Sequence, residues 1–207
     1  MPKVSLQQAL SWHKKSGNLD VAVIYTKTQA VVAGTFTQNK VAAAPVYVSK
    51  EVVATGTAHA IVANAGCANA CTGQQGLDDA HKMAQIAADE LGVNADDVIV
   101  GSTGVIGVNL PMDKLEAGIK DAVANLSADG SDNAGRAIIT TDTHSKSVTC
   151  EFELSGKTVR MGAIAKGSGM IRPNMATMLC YITTDIAIDQ ALFTKSCIWL
   201  RRKNPST

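Results

Sequence analysis

Chemistry in this chain is concentrated where Lys166-Gly167-Ser168-Gly169 runs through Met170-Ile171-Arg172-Pro173-Asn174 into Met175-Ala176-Thr177-Met178-Leu179. Gly167 and Gly169 supply torsional freedom and close backbone approach. Pro173 holds Arg172 out of helical torsions, so the segment leading to Ala176 is expected to be extended. The small Ala176 leaves the carbonyl ahead of Thr177 uncrowded, which suits a hydroxyl that attacks its own preceding peptide bond. A threonine hydroxyl is a poor nucleophile until a base takes its proton. At a chain N-terminus the α-amino group acts as that base, because its reference pKa of roughly 7.7–8.0 lies near neutrality. Cleavage between Ala176 and Thr177 would thus create nucleophile and base in one residue. From spacing alone, the same residues also read as the threshold of a buried strand, Leu179 to Thr183, with the threonine satisfied by a neighbour.

Other stretches could complete such a site. Gly101-Ser102-Thr103-Gly104-Val105-Ile106-Gly107 follows a short β-branched run, and a glycine-rich turn there can present backbone N–H groups to an anion. It lacks the Lys-Ser/Thr pair of a P-loop, which weakens a phosphate reading; a plain turn is the other reading. Thr140-Thr141-Asp142-Thr143 reads by itself as a strand end with local side-chain hydrogen bonds. Lys166 alone reads as a solvated charge, although its cationic head suits the carboxylate of an acylated amino acid. In Asn64-Ala65-Gly66-Cys67-Ala68-Asn69-Ala70-Cys71-Thr72-Gly73, neither cysteine has a histidine nearby in sequence to activate it. The five cysteines, Cys67, Cys71, Cys150, Cys180 and Cys197, show no paired metal-ligand spacing, so reduced thiols and no metal site are expected.

The elements that must position these residues alternate between strand-like and helix-like patterns. Asp20 to Tyr25 and Ala30 to Phe36 read as a hairpin joined around Lys27-Thr28. Thr37 to Lys40 reads as a turn, Val46 to Val48 as a short strand, and Ala58 to Ala63 as a strand closed by a tight turn at Asn64-Ala65-Gly66. Leu77 to Leu91 has the amphipathic period of a helix, with Asp78 and Asp79 in its first turn and Gly92 at its close. Val98 to Val100 is expected to be a buried strand and Met112 to Leu126 a second helix. Ser127 to Gly135 reads as loop, and Ile138 to Thr141 as the start of a β-rich half. Ser147 to Leu154 alternates with Val148, Cys150, Phe152 and Leu154 on one face, turns at Ser155-Gly156-Lys157 and returns along Thr158 to Ile164. A helix is expected from Asp189. Strands outnumber helices and stand in hairpin order, so the fold class is α/β of the α+β kind: mixed, largely antiparallel sheets with covering helices.

Bulk properties fit a packed enzyme. The 207 residues carry 19 basic and 18 acidic side chains, a balance that points to neither nucleic acid nor a membrane surface as partner. Aromatics make up only 4% while small aliphatic residues abound, as in a tightly packed α/β core. There is no secretory pattern and no run long and apolar enough to span a bilayer, so a cytoplasmic location is expected.

The segment Lys166 to Leu179 resembles the self-cleavage motif of the ornithine acetyltransferase family, the bifunctional ArgJ enzymes of arginine biosynthesis. The similarity runs from about Lys14 to about Ala191 and includes Val41-Ala42-Ala43-Ala44-Pro45-Val46. In the Asn64 to Gly73 stretch, Cys67 replaces the first asparagine of the family's Asn-Ala-Asn pair, and this loop is expected to shape the site's floor without doing chemistry. The resemblance implies an ArgJ/DmpA-like layered sandwich, cleaved at Ala176–Thr177, with Thr177 as nucleophile. Thr103 (hydroxyl) and Gly104 (backbone N–H) would form the oxyanion hole, and Thr143, Lys166 and Thr177 would contact substrate. It implies transfer of acetyl from N-acetylornithine to glutamate through an acetyl-threonine, with no metal or bound cofactor and with acetyl-CoA as a donor in some members. Cleaved α and β chains form hetero-oligomers in the family.

Residues 1–176 would correspond to the α-chain and 177–207 to the start of the β-chain. Met1 to His13 lacks the family's Gly/Ala-rich opening, and Thr194 to Thr207 departs from the family pattern. The chain is therefore expected to be truncated or frameshifted after about Phe193, leaving the sandwich incomplete. An inactive fragment, or a related self-processing hydrolase or aminopeptidase, are the competing readings.

Overall fold

The computed structural model describes residues 4–10, 19–170 and 177–203. Strands β1 (Val4–Leu10), β2 (Leu19–Val31), β3 (Thr57–Cys67) and β4 (Val98–Val105) form a four-stranded sheet in that order. Its first pairings, β1 with β2 and β2 with β3, are antiparallel, and β3 with β4 is parallel. The parallel crossover is made by α2 (Gly73–Leu91). Strands β5 (Lys146–Leu154), β6 (Lys157–Lys166) and β7 (Leu179–Thr184) form a second, antiparallel sheet of three strands. Helices α1 (Ala44–Thr55), α3 (Met112–Ala124), α4 (Ser131–Ala137) and α5 (Gln190–Lys203) complete the described chain. This is the expected mixed, mostly antiparallel architecture with covering helices.

Period-2 alternation decides which face of the first sheet goes where. Val21, Val23, Val62, Val98 and Val100 face one way and pack against Val48 of α1, Met83 of α2 and Leu115 and Ile119 of α3. Ala22, Ile24 and Ala63 face the other way and meet α4, Ile164 of β6 and Tyr181 of β7. The first sheet is thus sandwiched between helices and a second layer made by α4 and the second sheet. Strand β4 is an edge, and α1 covers it: the Ser49 hydroxyl donates to the Val100 carbonyl (2.6 Å) and accepts from the Val100 N–H (3.0 Å). Both backbone groups of a buried edge residue are thereby satisfied by one side chain. Among the described residues, no helix is long and apolar enough to cross a membrane.

Several local expectations give way to tertiary structure. The proposed hairpin at Lys27-Thr28 is instead one long strand, β2, whose pairing with β3 is interrupted between Tyr25 and Ala30 and then resumes. No residue there favours the positive φ of a tight hairpin turn, and β3 competes for the same strand edge. Val46 to Val48 is helical, inside α1, because Pro45 sits in the first turn of the helix, where its fixed φ suits it and no N–H is needed. The β-branched residues there pay no decisive penalty once Val48 and Val52 are buried. Strand β3 runs on through Asn64 to Cys67, and β4 on through Val105, because each supplies the other's hydrogen-bond partners. Helix α2 begins at Gly73, which puts Asp78 and Asp79 beyond its first turn. Residues expected as loop form α4, and Ile138 closes that helix instead of opening a strand. The helix over 77–91, the Ser155-Gly156 hairpin (φ 51° and 73°) and the final helix stand as expected; the helix expected over 112–126 ends at Ala124, and β7 forms but is half-buried or exposed instead of buried.

Leu115 is fully buried between α2 and the first sheet. Leu115→Ala is expected to lower stability by about 2–5 kcal/mol. Urea unfolding would register this as a lower midpoint at unchanged slope.

Candidate active site

The site is assembled where the two sheets face each other. In β6–β7 the register pairs Lys166 with Leu179 and Ala165 with Cys180. This pairing brings the chain just before β7, and with it Thr177, back beside Lys166. From the first sheet, β4 contributes Thr103, which alternation places on the same face as Gly101. The Lys166 ammonium donates to the Thr103 hydroxyl oxygen at 2.9 Å and reaches the Thr177 carbonyl at 3.5 Å. Lys166 is only 6% exposed and Thr103 8%.

The proton logic of that pair is restrictive. An ammonium has three donors and no acceptor, so the Thr103 oxygen must accept from Lys166. The Thr103 O–H is then left to donate elsewhere, which is what an oxyanion hole needs. Burial pushes the Lys166 ammonium below the ordinary lysine range; the negative charge of Asp142 opposes that shift and the nearby Lys146 adds to it. Lys166 is therefore no solvated surface charge. Its head is committed to Thr103 and Thr177, two of the three threonines that the sequence singled out.

Beside Thr103, Gly104 has φ +135°. A Cβ there would fall 2.3 Å from the Gly66 carbonyl carbon, 2.5 Å from its oxygen and 2.6 Å from the Cys67 nitrogen. These are backbone atoms of β3 and cannot move aside, so residue 104 is confined to glycine. The start of the Asn64–Gly73 stretch is thus packed directly against Gly104. Its own form is fixed by side-chain-to-backbone bonds: Asn64 Nδ2 donates to the Cys67 carbonyl (3.0 Å) and Asn69 Nδ2 to the Gly76 carbonyl (2.7 Å). Asn69 and Cys71 have φ of 48° and 59°. The Cys67 thiol is buried against the Val108 carbonyl (3.0 Å), and burial raises its pKa, the opposite of what a nucleophilic thiolate needs.

Thr177 is exposed, with φ 64°, a strained backbone conformation for a β-branched residue, and its hydroxyl donates to the Met170 carbonyl. Ala176, the other side of the expected cleavage point, lies outside the described residues. Thr143 is exposed and its hydroxyl meets the His144 Nδ1 at 3.0 Å; it joins neither Lys166 nor Thr103. Its neighbour Asp142 makes the inward contact. The Asp142 Oδ1 accepts from the Gly167 N–H (2.9 Å) and from the Lys146 ammonium (2.5 Å). Asp142 thereby ties the Thr-Thr-Asp-Thr loop to the turn that follows Lys166. Sequence reasoning gave this aspartate no role, though an acid set among threonines with Lys146 four residues on was the available signal.

Burial alone would raise the Asp142 carboxyl, but the Lys146 hydrogen bond, the Gly167 N–H and the charges of Lys146 and Lys166 outweigh it. The net pKa lies below the usual 3.8. A carboxyl whose folded pKa is depressed adds stability above its unfolded pKa, and that stability is lost as pH falls through the folded value. Asp142→Asn is expected to be less stable than the parent at neutral pH and to lose the part of the acid limb that lies below pH 3.8. Unfolding free energies measured from about pH 6 down to about pH 2 check this; parallel curves for parent and variant would count against the assignment.

The chain matches the model of the ArgJ family over residues 6–200. It is 51% identical over 176 residues to the arginine biosynthesis bifunctional protein ArgJ of Symbiobacterium thermophilum, covering 85% of this chain and 44% of that one. It is 49% identical over 185 residues to the glutamate N-acetyltransferase of Methanocaldococcus jannaschii, covering 87% of this chain and 46% of the relative. The chain thus spans about half the length of these curated relatives. The crystal structure of ornithine acetyltransferase from Mycobacterium tuberculosis, complexed with ornithine, is similar with a TM-score of 0.75 at 36% identity, covering 83% of this chain and 91% of that chain. On its sequence and on its fold alike, this chain belongs to the ArgJ family.

Proposed function

We propose that this chain carries the nucleophile and the oxyanion donors of an acetyltransferase that moves acetyl from N-acetylornithine to glutamate. One observation carries the reading: a single buried ammonium, Lys166, bonds the hydroxyl of Thr103 and the carbonyl of Thr177. That contact sets the oxyanion donor and the nucleophile's backbone around one fixed charge.

Maturation comes first. The Thr177 hydroxyl attacks the Ala176 carbonyl, the C–N bond breaks, and the hydroxyl proton ends on the freed Thr177 amine. Water then hydrolyses the ester, leaving a carboxylate on Ala176 and an unacylated Thr177. In transfer, the α-amine takes the hydroxyl proton as Thr177 Oγ1 attacks the acetyl carbonyl of N-acetylornithine. Thr103 O–H and Gly104 N–H hold the developing oxyanion, and the proton leaves with ornithine. The glutamate amine then attacks the acetyl-threonine and restores the hydroxyl. Acetyl-CoA fits the same site as an alternative acetyl donor, because only its acyl carbonyl must reach Thr177. The scheme draws on a hydroxyl, an amine and hydrogen-bond donors, all compatible with a cytoplasmic enzyme of small-molecule substrates. Thr143, one residue from the anchored Asp142, is assigned to the substrate's outer end, where its exposure suits it.

A second reading has its own observation. The second sheet exposes Val148 (63%), Leu154 (47%) and Ile182 (48%) on one apolar face. In the family, cleaved chains assemble further, and transfer by this chain would then depend on a partner that covers that face.

Intact mass of the purified chain, fresh and after incubation, separates these readings. Fragments meeting at Ala176–Thr177 are expected, and Thr177→Ala should abolish them together with acetyl transfer to glutamate; retained transfer would remove Thr177 from the mechanism. Thr103→Val is expected to slow transfer by roughly 100- to 1,000-fold, the usual effect of losing one oxyanion donor. Net hydrolysis of the acyl group without transfer to glutamate would favour the hydrolase alternative.

A further inference from the structure

The reaction scheme makes no use of a close contact between Gly101 and Tyr181. A Cβ built on Gly101 would fall 2.0 Å from the Tyr181 hydroxyl oxygen and 3.3 Å from the ring Cζ that bears it. The phenol therefore fills the volume that any side chain at position 101 would occupy. Its oxygen is buried and has no hydrogen-bond partner among the described residues. A buried hydroxyl without a partner is unfavourable, and phenylalanine would avoid that loss. Hydrogen bonding therefore does not account for the oxygen's place, whereas its contact with Gly101 does.

Alternation and register show what the contact joins. Residues paired across antiparallel strands share a face, so Lys166 and Leu179, and likewise Ile164 and Tyr181, emerge together from the second sheet. On β4, Gly101 and Thr103 share a face in the same way. Lys166 of β6 meets Thr103, and Tyr181 of β7 meets Gly101, so two neighbouring strands of the second sheet each contact β4. Among the described residues the two sheets share no backbone ladder, so side chains set their separation here. The Lys166 contact holds the end of β6, and the Tyr181 contact is the one that holds β7 itself.

We propose that Tyr181 is a positioning residue: its hydroxyl, seated on Gly101, holds β7 at the spacing that sets Thr177 against Thr103 and Gly104. The catalytic meaning of that spacing rests on the reading of Thr177 as nucleophile given above. The contact acts through the strand and touches no substrate.

The test uses the full chain with Gly101→Ala, Tyr181→Phe and the double variant. Self-cleavage is followed by intact mass, and the Thr177 amide and Lys166 ammonium by NMR. Gly101→Ala is expected to push β7 away and slow cleavage by about 100-fold, as an ångström-scale misplacement does. The double variant is expected to recover most of that rate, because the added methyl takes the space the hydroxyl vacates. Equal rates in all variants, or a double variant no faster than Gly101→Ala, would overturn the proposal. If the parent chain does not cleave, the nucleophile reading fails separately and the NMR signals decide the positioning role. Displacement of the Thr177 and Lys166 signals by Gly101→Ala, and their return in the double variant, upholds it; changes confined to the neighbours of residue 101 overturn it. If Gly101→Ala does not fold, a folded double variant with parent-like Thr177 and Lys166 signals upholds the contact, and a double variant that also fails to fold overturns it.

Discussion

A buried ammonium sets the terms for everything around it. Lysine has no acceptor and cannot lie out of water without donating its protons, so the Lys166 head dictates that its neighbours be oxygens. The oxygens it finds are the Thr103 hydroxyl of β4 and the Thr177 carbonyl just ahead of β7. Asp142 supplies a compensating negative charge through the loop that also grips Gly167. Removing the lysine would leave the Thr103 proton without a fixed direction and would remove the polar tie between the sheets.

The fold is arranged so that this tie falls at the right place. A parallel pairing of β3 and β4 puts Gly66 beside Gly104 with no room for a side chain between them. That close approach presses the Thr103-Gly104 pair against a floor whose loops are locked by Asn64 and Asn69. The antiparallel β6–β7 pairing then returns Thr177 to Lys166, so the end of β6 and the threshold of β7 meet at a single cation. Apolar packing of Ala22, Ile24 and Ala63 against Ile164 and Tyr181 presses the two sheets together. Burial of this kind is non-directional, and the directional contacts of Lys166 and Tyr181 select one alignment among those it allows.

Residues with no chemical role carry much of this geometry. Asp142 sits beside the threonine expected to touch substrate, yet Asp142 makes the inward bonds while Thr143 faces solvent. Gly101 lies two residues from Thr103 on β4 and Tyr181 four residues from Thr177, and neither carries a group that reacts. Such residues escape a motif search because their value lies in volume and direction, which a one-letter pattern does not record.

The sequence by itself marked the candidate residues and the local punctuation. Thr103, Gly104 and Thr177 stood out because hydroxyls, small residues and glycines at fixed spacing have few interchangeable substitutes, although the turn expected at Thr103-Gly104 is the end of β4. Helices α2 and α3 and the Ser155-Gly156 hairpin were legible because their periodicity and turn residues act within a few positions. Tertiary structure alone decided the rest. Strand-like residues at Val46 to Val48 became helix once Pro45 opened a turn and the core took up Val48. The run expected to hairpin at Lys27-Thr28 stayed one strand because β3 offered it a partner across a bulge. The lysine that reads as a surface charge became the buried centre of the site because strands distant in sequence enclosed it with oxygens. Propensity and spacing act over a few residues, whereas the partner that satisfies a backbone edge or a buried charge is chosen by the packing of the whole chain.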